Sequence, residues 1–205
     1  MTSDGVQMES VVGGARNPLN WLARAEGHMK AAELLADAWL KASQRMHPVI
    51  VGSIAISNFP GSPKVDHHRP GDIDAFDEML GYAQGAMLHQ CLAVENLLKG
   101  ILIARDPERW VEANPRRLFR WTHDIRTLAR AANIELAPEE DSRIDNMTRF
   151  IEWAGRYPTA MTPADHGHGA SWSSIDVDAI GRLGNRLRVT LRTACSLDAS
   201  EGKPR

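Results

Sequence analysis

Apolar residues recur every three or four positions over most of this chain, the spacing of one face of an α-helix. The first such run predicts a helix over 18–46, with Leu22, Ala25, Met29, Ala32, Leu35, Ala36 and Trp39 on one side and Pro18 suited to the first turn. Pro48 interrupts it. Residues 49–56 are apolar and β-branched, and both a short buried helix and a strand fit them. Three Pro, two Gly and the cluster His67-His68-Arg69 make 58–71 an exposed loop insert. A long helix follows over 73–104, where Leu80, Ala83, Met87, Cys91, Val94, Leu98 and Leu102 form the longest stripe and predict the most buried element. Asp72 and Asp74 at its start complement the helix dipole.

Beyond a connection at 106–120, Thr122-His123-Asp124 precedes Ile125, Leu128, Ala129 and Ala132, and either Thr122 or Asp124 can cap the helix that this series predicts. Pro138 prevents an uninterrupted run into the next helix, whose buried face holds Ile144, Met147, Phe150, Ile151 and Ala154. That helix stops at Gly155-Arg156-Tyr157-Pro158. A loop at 159–171 leads to a last helix, capped by Ser173 or Ser174 and running to about Ala194. The expectation is an all-α protein, a helical bundle of four to five main helices over 17–195, with loose tails at 1–16 and 196–205.

Composition narrows the class. A chain of 205 residues with 43% hydrophobic content suits one domain with a sizeable core. Its formal net charge of −2 argues against wholesale attraction to nucleic acid, although local patches can still form. Cys91 and Cys195 sit in apolar helical contexts, too few for a disulfide framework and expected to be buried and reduced. No charged-then-apolar leader opens the chain, and no apolar run reaches the roughly 18 residues that span a bilayer, so a cytoplasmic protein without membrane contact is expected.

Thr122-His123-Asp124, the polar stop Gly155-Arg156-Tyr157-Pro158 and the helix carrying Ala93-Val94-Glu95-Asn96-Leu97-Leu98-Lys99 occur in an order that resembles the HEPN domains (higher eukaryotes and prokaryotes nucleotide-binding). Weaker likeness reaches back to Trp21-Leu22 and Ala31-Ala32-Glu33-Leu34-Leu35, so that it covers roughly residues 21–192. These are small all-helical proteins of bacterial defence, toxin–antitoxin and RNA-processing systems. The resemblance implies a homodimer, and an RNA, nucleotide or protein ligand such as an antitoxin. It implies no cofactor.

Ribonucleases of that family use an Arg followed, after four to six residues, by a His; here five residues separate Arg117 from His123 and six separate Arg116 from it. Cleavage through the 2′-hydroxyl needs a proton donor or acceptor, which His supplies, and a cation against the phosphate, which Arg supplies. Leu118 after Arg117, and the loop-to-helix position of the set, depart from the catalytic pattern. His123-Asp124-Ile125 more closely resembles the His-Asp-Leu helix start of many family members without demonstrated nuclease activity, in which case His123 bonds nearby backbone and Asp124 is structural. Arg156 and Tyr157 could hold a phosphate and stack on a base, or could fix the loop by pairing Arg156 with Glu95 or Glu152. Glu95 and Lys99 have the favourable i,i+4 order of a solvated pair, but on a central face they would need partners.

A basic stripe of Arg105, Arg109, Arg116, Arg117, Arg120, Arg126 and Arg130, joined by Arg182, Arg186, Arg188 and Arg192 and flanked by Trp110, Trp121 and Tyr157, could bind single-stranded RNA or could simply be solvated. Arg120 and Arg126 are its candidate ligand contacts, beside Arg156 and Tyr157. Val51-Gly52-Ser53 with Asp72 and Asp74 resembles a nucleotidyltransferase pattern, but the gap is too long and no room exists for that sheet. His166 and His168 with Asp165 lack a third strong metal ligand and read as a loop, so no metal site is expected. Three functions remain open: a non-catalytic module for RNA, a nucleotide or a protein; a metal-independent RNA endonuclease, toxin-like, with its Arg and His123 at a dimer interface; and a dimeric scaffold with no nucleic-acid contact.

Overall fold

The computed structural model describes residues 12–45, 72–110, 122–154 and 174–200. Among them the chain is all helical, with no strand. The elements are α1 (Pro18–Arg45), α2 (Asp72–Arg105), the single turn α3 (Pro107–Trp110), α4 (Ile125–Ala131), α5 (Pro138–Arg149) with a π-helical continuation (Phe150–Ala154), and α6 (Ser174–Ser200). Residues 49–56, the insert at 58–71 and the loop at 159–171 lie outside the described residues.

The bundle is built around α2. Its apolar stripe buries Met87, Cys91, Val94, Leu98 and Leu102, and between Leu97 and Ile103 every residue is buried, Lys99 and Gly100 included. This half of α2 is covered by α1, α4, the π-helical turn and α6. α1 runs antiparallel to it: Arg45 pairs with Glu78 near the start of α2, while Trp21 lies against Gly100 near its end. α6 runs parallel to α2, with Gly184 facing Val94 and Leu191 facing Gly100. The expectation of no membrane-length apolar segment is corrected here. A helix within Asp77–Arg105 is long and apolar enough to cross a membrane, and 72% of that apolar window is buried inside the bundle.

Gly100 sets the closest approach. A Cβ there would lie 2.6 Å from Leu191 Cδ2 and 3.0 Å from Trp21 Cβ, so three helices meet where only a hydrogen fits. Trp21 is fixed from its other end by its indole N–H, which donates to the Ala15 carbonyl at 2.8 Å. Residues 12–16 were expected in a loose tail, but they form a turn of helix in which Val12 and Ala15 pack on Trp21 and Ile103. α6 likewise continues to Ser200, past the expected end.

Sequence periodicity and burial agree over α4 and α5, where Ile125, Leu128, Ala129, Ala132, Ile144, Met147, Phe150 and Ile151 are all buried. On α1 they diverge. Trp21, Leu22, Ala25, Ala32 and Ala42 are buried, but Ala36 is exposed and Trp39 is 41% exposed, so the buried strip is narrower than the apolar spacing implied. The expected connection at 106–120 opens with α3, whose Arg109 N–H is capped by Asp106 Oδ1 at 3.1 Å. α4 ends before Pro138 is reached. Asn133 takes a φ of 47°, and the N–H groups of Asn133 and Ile134 donate to the carbonyls of Arg130 and Ala129, at 3.0 and 2.9 Å. This paired closure satisfies two carbonyls that the helix end leaves open.

Gly100→Ala tests the central contact. The intrinsic helical gain of about 1 kcal/mol is opposed by overpacking of about 1–3 kcal/mol, and because Trp21 Cβ cannot retreat without moving α1, a net loss near 1 kcal/mol is expected. A chemical-denaturation midpoint at or above that of the wild type would show that the three helices do not close on this position.

Candidate functional site

The polar groups of interest gather where the buried half of α2 meets the loop before α4. Glu95 is 4% exposed and Lys99 8%. A charged carboxylate in such surroundings loses its hydration and needs a counter-charge within reach. Lys99, one turn on, donates from Nζ to Glu95 Oε1. The same oxygen lies 3.0 Å from His123 Nδ1. Glu95 Oε2 is buried with no hydrogen-bond partner.

His123 is delivered by a loop whose backbone is fixed on both sides. Asp124 caps α4, its Oδ1 accepting from the N–H groups of Arg126 and Thr127 at 3.0 and 3.2 Å, and its Oδ2 from the Thr127 hydroxyl at 2.6 Å. Thr122, the other capping candidate, instead accepts the Asp124 N–H on its hydroxyl oxygen at 2.9 Å. The Ile125 N–H is taken by Thr148 Oγ1 of α5 at 3.1 Å. Partial burial pushes the Asp124 carboxyl up, but the bonds from Thr127 and Arg126 outweigh it and hold the group below its ordinary value. The His123 ring extends from this loop to α2, with 47% of its side chain exposed. A carboxylate can only accept, so Nδ1 carries the proton towards Glu95 and Nε2 is the free base of the neutral ring.

The expectation that His123 would bond nearby backbone is therefore corrected: its partner is a side chain 28 positions earlier. Glu95 and Lys99 are central rather than solvated, and they pair with each other and, through Glu95 Oε1, with His123. Arg126 faces α5 instead. Its Nε donates to Asp145 Oδ1 at 3.2 Å, Nη1 donates to Asp141 Oδ1 and Nη2 donates to the Asp141 carbonyl at 3.0 Å. Arg116, Arg117, Arg120, Arg156 and Tyr157 lie outside the described residues, as do Trp121, Val51-Gly52-Ser53, Asp165, His166 and His168.

Much of the basic stripe is engaged within the fold. Arg105 donates to the Ala132 carbonyl, Arg186 pairs with the buried Glu140 and donates to the Glu135 carbonyl, and Arg192 pairs with Glu26 of α1. Arg109 stacks over the Trp110 ring at 5.2 Å. Arg130 and Arg182 are exposed. Among the described residues no group of three or more His, Cys, Asp or Glu is arranged to hold a metal. Cys91 is buried and Cys195 half-buried, neither in a disulfide, and burial pushes the Cys91 thiol far up, away from nucleophilic character.

One pair escaped the sequence reading. His28 of α1 and His89 of α2 face one another with their Nδ1 atoms 2.8 Å apart, both half-buried. The available signal was a histidine at the margin of an apolar stripe on each of two long helices. No family model, curated protein or solved structure matches the chain.

Two substitutions probe this region. Lys99→Met removes the ammonium counter-charge and leaves the buried Glu95 with His123 alone, so a loss of about 3–5 kcal/mol in urea denaturation is expected. A loss below about 1 kcal/mol would mean that water reaches the carboxylate. Asp124→Ala should lower stability by about 1 kcal/mol at neutral pH. Because the folded carboxyl titrates below its ordinary 3.8, its contribution is complete above that pH and is lost as pH falls through the lower folded value. The gap between wild type and variant should therefore close in acid, and a gap that stays constant down to acid unfolding would contradict the cap.

Proposed function

We propose that the chain is a HEPN-like helical module that binds RNA or a nucleotide beside His123. The observation that carries this reading is the pairing of Glu95 with His123. The two motifs that resemble the family, far apart in sequence, meet through one hydrogen bond of 3.0 Å. A buried carboxylate anchors one edge of the imidazole, so the exposed edge is oriented towards whatever docks on the loop. An oriented imidazole N–H or lone pair suits a phosphate oxygen or a base edge. Arg120, Arg156 and Tyr157 are the proposed companions of His123 in holding the strand. Arg126 supports the loop through α5 and is not proposed as a ligand contact.

A second reading is favoured by the same geometry. A carboxylate that fixes the proton on Nδ1 leaves Nε2 as an oriented general base, the arrangement that acid–base catalysis requires. In that reading the chain is a toxin-like RNA endonuclease acting as a homodimer, with Arg116 or Arg117 against the phosphate and an antitoxin as protein partner. The helical scaffold without nucleic-acid contact is the outcome if neither activity exists.

The test compares wild type with His123→Ala, whose fold is checked by circular dichroism, on a labelled single-stranded RNA in excess chelator. For the binding module, fluorescence anisotropy should show retention of the RNA, intact, by wild type, and a roughly tenfold weaker complex for the variant, which corresponds to about 1.4 kcal/mol. Chelator-resistant cleavage by wild type that vanishes in the folded variant would replace binding by catalysis. No binding and no cleavage by either protein would leave only the scaffold.

A further inference from the structure

His28 and His89 join α1 to α2 by a contact that admits only one proton. Their Nδ1 atoms lie 2.8 Å apart and their ring centroids 5.1 Å, with the planes tilted by 36°. For the two nitrogens to approach that closely, one must donate and the other must offer its lone pair. The pair can therefore be neutral, or can carry one charge on the donor ring. It cannot carry two, because two N–H groups would then point at each other across 2.8 Å. We propose that this pair is an acid-sensitive latch, holding α1 on α2 while at least one ring is neutral and releasing that contact when both are protonated.

The surroundings oppose the second proton. Burial lowers the affinity of His28 for it, His89 and Arg24 lower it further, and Glu95 of α2 only partly compensates. Arg24 lies one turn from His28 on α1, and it is exposed. Glu95 is already shared by Lys99 and His123. The latch stands between apolar contacts of the same two helices: Met87 and Cys91 flank His89 on α2, and Ala25 and Ala32 flank His28 on α1, all four buried. Opening there would wet the α1 side of the core while the α2–α6 face stays packed.

The sign follows from linkage. A histidine titrating lower in the folded protein than its ordinary 6.5 leaves the unfolded chain holding more protons in the interval between the two values. The stability that His28 contributes through this contact is complete above that ordinary value and is lost progressively as pH falls below it.

The experiment is a thermal-unfolding series on the full chain from neutral pH to about pH 5, the span in which histidines change charge. It is run on wild type, His28→Gln and His89→Gln, beside ring-nitrogen NMR of the wild type. In either variant one titrating ring is gone while a side-chain amide can still bond the other. The acid-induced fall in Tm should be about twofold smaller in the variants than in wild type. The ring resonances should show His28 and His89 titrating as a coupled pair, with the second proton accompanied by loss of α1 amide protection. Equal pH slopes in all three proteins would overturn the latch, as would two rings that titrate independently. A rise in wild-type Tm with added zinc that either substitution abolishes would also overturn it, by showing the two nitrogens to be metal ligands.

Discussion

A carboxylate at the edge of the fully buried stretch of α2 constrains this molecule more than any other group. Glu95 sits where α2 is covered by its neighbours, and its charge is tolerable only because Lys99 and His123 converge on one of its oxygens. Such a buried pair is a poor source of net stability, since an apolar pair of the same volume often does as well or better. What the apolar pair could not do is hold His123. The carboxylate reaches out of the core to a loop on another element, so the position of that loop is set by the electrostatics of the bundle's central helix.

A second polar junction repeats this arrangement at the other short helices. Glu140, buried in the first turn of α5, accepts the Ala137 N–H at 2.9 Å and also pairs with Arg186 of α6. The start of α5 is thereby fixed to the helix that lies along α2. Arg126, with Asp141 and Asp145, ties α4 to α5 from outside. The α4–α5 corner is thus held by ion pairs on two sides and by Ile125, Leu128, Ile144 and Met147 in the middle, so the loop bearing His123 has little freedom to shift.

The fold was legible wherever a helix buries one apolar strip and leaves its opposite side exposed. α4 and α5 do this, and the apolar spacing found their buried positions. Every residue of α2 from Leu97 to Ile103 is buried, so periodicity located the helix but not the environment of Glu95 and Lys99; an i,i+4 ion pair reads alike on a wet face and in a core. Trp39 was misplaced because the buried strip on α1 is narrow, and a bulky apolar residue at its margin fits the pattern while staying 41% exposed. The end of α4 depends on Asn133 adopting a left-handed conformation, which glycine would have advertised and asparagine does not. The His28–His89 contact depends on the register between two helices separated by an insert, and no single-chain pattern encodes that register.

The parallel course of α6 beside α2 has a consequence for how the chain is made. The link between Arg192 and Glu26 spans 166 positions, and Leu191 closes over Gly100 only after nearly all of the intervening chain exists. During synthesis α1 and α2 can pair as a local hairpin, but the face of α2 awaiting α6 stays uncovered until the last of the described helices emerges from the ribosome. That face belongs to the most apolar of the long described helices. The nascent chain must carry it through this interval, in which exposed apolar surface invites chaperones or aggregation.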